Sequence, residues 1–191
     1  MGLAIAERLA RLGAKVILIA GPVSIQCEDP NILRVDVVSA AQMYIQCLNY
    51  FSQCNGAVMV AAVADFSPLF VDSEKFKRSS GNLILELKPN PDIAAALGRI
   101  KRADQILVGF ALETTNDESK AMGKLQAKNL DLIILNSLND KGSGFQFDTN
   151  QIRILDKTGV IFTSGLKPKK EVAVDIVEKL METENLISGL T

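Results

Sequence analysis

The sequence predicts an α/β fold: a Rossmann-like, doubly wound, mostly parallel sheet with an antiparallel β arm. Short apolar runs at Ala14–Ala20, Gln105–Ala111 and Leu130–Leu135 have the length and composition of strands covered on both faces. Stretches of helical periodicity alternate with them, which is the βαβ arrangement. The cluster Ser79-Ser80-Gly81-Asn82 separates two further apolar segments and marks a turn between antiparallel strands. At 191 residues one domain is expected. It is read as residues 1–181 with the arm at about 68–88, followed by a frayed tail at 182–191.

Gly2–Leu12 places Leu3, Ala6, Leu9 and Ala10 at helical spacing against Glu7, Arg8 and Arg11, so it reads as an amphipathic helix. Gly13 suits the position just past its end. Ala14–Ala20 is then a buried strand closed by Gly21-Pro22. Helix and strand together form the second half of a βαβ nucleotide-binding unit. Its first strand and Gly-rich phosphate turn are expected upstream of Met1, and without that strand apolar surface on both neighbours is uncovered.

Asn31–Val37 is a short strand, and Ser39 N-caps a helix to about Ser52. Ala57–Ala64 is a continuous apolar run, taken as a strand over Val58–Ala64. Phe70–Phe76 and Asn82–Lys88 form the arm. Asn90-Pro91-Asp92-Ile93 starts a helix to about Arg99, with Asn90 as cap and Pro91 at the first helical position. After the Gln105–Ala111 strand, Thr114–Glu118 opens a helix to Asn129, and Leu130–Leu135 follows as a strand. Phe145–Phe147, Gln151–Asp156 and Val160–Thr163 are short strands separated by turn residues. The last helix covers about Lys169–Met181.

Composition narrows the chemistry. Hydrophobic residues make up 48% of the chain, which argues against disorder. A net charge of -1 supplies no global field for nucleic acid or an anionic membrane, so any anion must be held locally. No apolar run approaches the ~18 residues of a spanning helix, and the N-terminus lacks the pattern of a secretory signal. Three cysteines without a CxxC pair read as reduced thiols in a cytoplasmic protein. Histidine is absent, which removes Ser-His-Asp and Cys-His catalysis and every histidine metal site. Carboxylates, lysines, backbone dipoles or a bound metal must carry the reaction.

The stretch from Val58 to Arg78 is the first candidate site. In an open parallel sheet, ligands sit beyond the carboxyl ends of the strands. Asp65 leaves the sheet there, and Lys75-Phe76-Lys77-Arg78 begins ten residues later. A carboxylate beside several cations suits a metal-bound polyphosphate. The plain alternative is a turn capped by Asp65 before Pro68, with the lysines on a solvated loop. Lys120, Lys124 and Lys128 lie four apart on one helix, and like charges at that spacing repel by ~0.2–0.5 kcal/mol per pair. A bound anion relieves this, and so does water around an exposed face. Phe110 either packs on a base or belongs to the core. The Asn90-Pro91-Asp92 helix start offers backbone N–H groups to an anion, although Asp92 competes for the same positive end.

In order along the chain, MGLAIAERLARLGAKVILIAGP, AAVADFSP, EKFKR, NPDIAAALG, GFALET, KLQAKNLD and the final helix resemble phosphopantothenoylcysteine synthetase, the ligase domain of coenzyme A biosynthesis. The resemblance covers nearly the whole chain. It implies a CTP-using bacterial ligase, a homodimer, with 4′-phosphopantothenate, cysteine and CTP as substrates and Mg²⁺ as the accompanying ion. It implies that the Ala61 backbone reads the cytosine and that Asp65 lies near the triphosphate and its metal. It makes Lys75 the catalytic lysine of a flap over the acyl-nucleotide intermediate. Pro91, Asp92, Ile93 and Ala94 become the nucleotide-contacting helix start, and Phe110, Lys124 and Lys128 further CTP contacts. Family members carry a first strand, a Gly-rich loop and an Asn-x-Ser-Ser-Gly-Lys segment immediately before the position of Met1-Gly2, so that segment is expected upstream. Most bacterial members are fused behind a flavin-dependent decarboxylase.

Two other readings stay open. A nicotinamide-dependent oxidoreductase shares the opening helix and strand, but it wants an acid at the end of that strand, where Ile19-Ala20-Gly21-Pro22 stands. A non-catalytic nucleotide-binding remnant is the third. The choice between CTP and ATP leaves little trace in side chains.

Overall fold

The computed structural model describes residues 1–24, 27–71, 74, 82–113, 118–137 and 147–183. Helix α1 (Gly2–Arg11) buries Ile5, Ala6 and Ala10. It ends where Gly13 takes φ +91° and donates its N–H to Ala10 O at 2.9 Å, a conformation that costs glycine no steric penalty. Strand β1 (Val16–Ala20) pairs in parallel with β2 (Ile32–Asp36). Helix α2 (Ala40–Phe51) is capped by Ser39, whose side chain accepts the Gln42 N–H at 3.2 Å. Strand β3 (Gly56–Met59) follows, then the arm strands β4 (Phe66–Pro68) and β5 (Leu87–Pro89), and then α3 (Ile93–Ile100). The second half contains β6 (Ile106–Glu113), α4 (Glu118–Ala127), β7 (Leu132–Ser137), β8 (Thr149–Asn150), β9 (Ile152–Asp156), β10 (Gly159–Thr163), β11 (Lys167–Pro168) and α5 (Lys169–Glu182).

The main sheet has the order β10-β9-β7-β6-β3, parallel from β3 through β7 and antiparallel beyond. Alternate residues of its central strands face opposite layers, as the two-residue period of a strand requires. Leu107, Ala111, Ile133 and Leu135 pack with Met43, Phe51, Leu97 and Leu125 of α2, α3 and α4. Ile106, Val108 and Ile134 pack with Ile5 of α1 and Val172, Ile176 and Val177 of α5. Helices therefore cover both faces, which is the doubly wound arrangement. The β1–β2 pair has no ladder to the main sheet among the described residues. All four residues of β3 and four of the five in β1 are only half-buried, whereas Ile106–Gly109 of β6 are fully buried.

Several expected boundaries move. The strand expected over Val58–Ala64 is Gly56–Met59, paired on one side with β6, and Ala61, Ala62 and Ala64 are exposed. With one ladder partner among the described residues, the strand has little to hold it once that ladder ends, and at Asp65 and Ala64 the chain is instead bonded to Asn90. The arm is antiparallel, and among the described residues its ladder joins Phe66–Pro68 to Leu87–Pro89; most of the expected Phe70–Phe76 strand, residues 72–73 included, lies outside the described residues. Residues 75–81 lie outside the described residues. Asp92, not Asn90, caps α3: its φ and ψ of -75° and 103° are extended, and its carboxylate accepts the Ala95 N–H at 3.0 Å. Pro91 thus precedes the helix. Thr149-Asn150, expected within a separator, pairs with Lys167-Pro168. Phe147 lies outside any strand, and residues 145–146, 114–117 and 184–191 fall outside the described residues.

Candidate functional site

Asn90 organises the ground between the main sheet and α3. Its backbone N–H donates to Asp65 O at 2.8 Å and its side-chain amide donates to Ala64 O at 2.9 Å. Two bonds from one residue hold the Ala61–Asp65 segment beside the start of α3. The proline that follows restricts Asn90 to extended backbone, which keeps both donors facing the same segment. Asp65 and Ala61 are exposed.

Asp92 closes the positive end of α3 from within the chain. One carboxylate oxygen takes the Ala95 N–H, and the other lies 2.9 Å from Lys128 Nζ. Burial pushes the Asp92 carboxyl up, but the Ala95 amide, Lys128 and Arg99 outweigh it and hold the group below the usual carboxylate range. This helix start is therefore already satisfied by a carboxylate. Its exposed face presents a fixed acid–base pair rather than a row of free amides. Ile93 is buried in the core and Ala94 packs against it, so both contribute backbone rather than side chain to this surface.

The cationic groups divide. Lys128 joins the cluster through its bond to Asp92. Lys124, one turn earlier in α4, is exposed. Lys75 lies outside the described residues. Phe110 packs partly buried on the α1–α5 face with Met1, Ile5 and Val108, so the sheet lies between it and the Asp92–Lys128 pair. Hydrogen bonds bring Ala64 and Asp65 to Asn90 beside the Pro91–Ala94 helix start, and an ion pair adds Lys128; Ala61 precedes Asp65 on the same exposed segment, and Lys124 lies in α4, one turn before Lys128. Phe110 sits across the sheet.

The site is braced by residues that sequence reading missed. Asp131 accepts from Lys101 Nζ with both oxygens at 2.6 Å and from the Leu107 N–H at 2.7 Å. Asn129 takes φ +51° and donates its side-chain amide to Gly98 O at 2.9 Å. Asparagine just past a helix end is a legible sign of the left-handed conformation. Its partner, 31 residues away, is not. Among the described residues, no group of three or more His, Cys, Asp or Glu side chains is placed to hold a metal.

Residues 1–183 match the family described as DNA/pantothenate metabolism flavoprotein C-terminal domain. Over 181 residues the chain is 47% identical to a protein named cysteine/cysteine sulfinic acid decarboxylase from an unknown prokaryotic organism, covering 95% of this chain and 50% of that protein. It is 42% identical over 180 residues to the coenzyme A biosynthesis bifunctional protein CoaBC of Bacillus subtilis, covering 94% of this chain and 44% of that one. The chain thus spans about half the length of these curated relatives. Among solved structures, the C-terminal domain of a coenzyme A biosynthesis bifunctional protein CoaBC superposes with a TM-score of 0.77 at 34% identity, covering 94% of this chain and 79% of that one. A DNA/pantothenate metabolism flavoprotein from Streptococcus pneumoniae has the same TM-score of 0.77 at 21% identity, covering 93% and 85% of the two chains, and so shares the fold. By sequence along nearly its whole length, and by a doubly wound sheet with the same architecture, the chain belongs to the DNA/pantothenate metabolism flavoprotein C-terminal domain family.

Proposed function

We propose that this chain ligates 4′-phosphopantothenate to L-cysteine with CTP as co-substrate, through an acyl-cytidylate. The observation that carries the reading is the junction at Asn90, which gathers Asp65, Asp92 and Lys128 beyond β3 in a chain whose relatives include coenzyme A biosynthesis proteins. A solved structure that shares this fold, at 18% identity and a TM-score of 0.71, is a complex with phosphopantothenate-cysteine. The substrate carboxylate attacks the α-phosphate of CTP, forming the acyl-cytidylate and releasing pyrophosphate. The amine of cysteine then attacks the acyl carbon, forming the amide and releasing CMP. No histidine or protein nucleophile is required. Exposed Asp65 offers one carboxylate, which with substrate phosphates is a donor set Mg²⁺ commonly takes. Such an ion would neutralise phosphate charge. The chain's own residues bind and orient: Lys128, Lys124 and Lys75 meet phosphate charge, and the Ala61 and Pro91–Ala94 backbone lies along the nucleotide, whereas Phe110, across the sheet from the Asp92–Lys128 pair, stays outside that group.

A homodimer in the cytoplasm completes the reading. The arm exposes Phe70, Val71 and Ile84 at 80%, 88% and 87%, an apolar surface that a second copy would cover. Among the described residues no helix is long and apolar enough to cross a membrane. Cysteine-dependent release of pyrophosphate from CTP and 4′-phosphopantothenate tests the activity, and Lys75→Gln should lower it sharply. Nucleotide binding without turnover would favour a non-catalytic role. Carbon dioxide release from cysteine alone would point instead to the chemistry in the name of the 47% identical relative.

A further inference from the structure

We propose that Asn129 is a positioning residue that sets Lys128 against Asp92 at the start of α3, and through it tunes nucleotide affinity. The inference rests on the nucleotide reading above. Lys128 is four residues short of β7, just past the end of α4, and by connectivity alone it has no reason to meet the cap residue of α3. Two contacts bring it there. Gly98 lets the backbones of α3 and residue 128 approach so closely that a β-carbon at Gly98 would overlap the Lys128 carbonyl. Asn129, left-handed at φ +51°, then donates its side-chain amide to Gly98 O at 2.9 Å. With its backbone pinned at Gly98, Lys128 runs its side chain back along α3 to Asp92 Oδ2 at 2.9 Å. The left-handed turn and the amide bond are separable: glycine keeps the first and loses the second.

CTP with Mg²⁺ is the binding probe, read by calorimetry on the intact chain. Asn129→Gly should weaken CTP binding about tenfold, the equivalent of ~1.4 kcal/mol, with little change in melting temperature. Lys128→Gln should weaken it at least as much, and the double variant no more than Lys128→Gln alone, because Asn129 acts through Lys128. Additive losses, or unchanged affinity in Asn129→Gly, would overturn the proposal. The second readout needs no ligand: NMR titration of the Asp92 carboxyl, which Lys128 and Arg99 face. Asn129→Gly should raise its pKa toward that of Lys128→Gln, and an unmoved value overturns the positioning role. Should the unaltered chain bind no nucleotide, the functional reading fails while the Asp92 titration still decides this one.

Discussion

Replacing Gly98 by alanine separates two opposed effects. In an exposed helix the change stabilises by ~0.8–1.0 kcal/mol, because glycine gives up more backbone freedom. Here Gly98 is buried, and its β-carbon would overlap the Lys128 carbonyl oxygen while standing 2.9 Å from the carbonyl carbon and 3.3 Å from Asn129 Cβ. The obstruction is backbone, fixed by Lys128 N–H to Lys124 O at 3.0 Å and Leu130 N–H to Leu125 O at 2.9 Å, so no rotamer change relieves it. Overpacking of this kind costs ~1–3 kcal/mol, with backbone obstruction at the upper end. Subtracting the helix gain leaves a net loss of about 1–2 kcal/mol, or roughly 2–8 °C in melting temperature for a chain of this size. Urea unfolding followed by circular dichroism measures it. A Gly98→Ala protein as stable as its parent, or more so, would refute the close approach of α3 to residue 128.

Three further outcomes follow from the same braces. Asp131→Asn should destabilise by ~3–5 kcal/mol, because it strands Lys101, whose side chain is only 9% exposed, as an unpaired cation. Adding Lys101→Met should recover much of that loss in urea melts; no recovery would mean that the ion pair is not the source. Asp92 is held below its unfolded pKa, so its contribution is present above about pH 4 and is lost as pH falls through the folded value. Asp92→Asn should therefore flatten the acid limb of thermal stability against pH, and an unchanged limb would contradict the pairing. Burial pushes the Cys47 thiol up to about 11 from the usual 9.0, so at pH 8 its thiolate fraction is roughly a hundredfold below that of an ordinary thiol. Brief alkylation with peptide mapping should leave Cys47 unmodified, and labelling as fast as Cys27 would count against its burial.

Where periodicity and capping chemistry agree, the chain was readable directly. α1, α2, β6 and α5 fall within a residue or two of their expected bounds, and Ser39 and Gly13 perform the capping roles their chemistry implies. Errors collected where a residue had two uses. Asn90 and Asp92 are both good caps, and only the bond from Asn90 to Ala64 shows which is free for α3. The apolar run Val58–Ala64 resembles a strand by composition, yet its second half has no ladder partner among the described residues. A strand is defined by its neighbours, and one sequence does not display them.

From the amino acids alone came the α/β class, the exclusion of histidine-based catalysis and histidine metal sites, and the ordered motifs that mark the family. Those follow from local propensity and side-chain inventory, which travel with the chain whatever its shape. Tertiary structure alone decided that Lys128 reaches Asp92, that Phe110 lies across the sheet from both, and that Asn129 and Gly98 bind two helices together. Such pairings depend on which strand faces are shared and how nearly two backbones approach, and these are set by packing among residues dozens of positions apart.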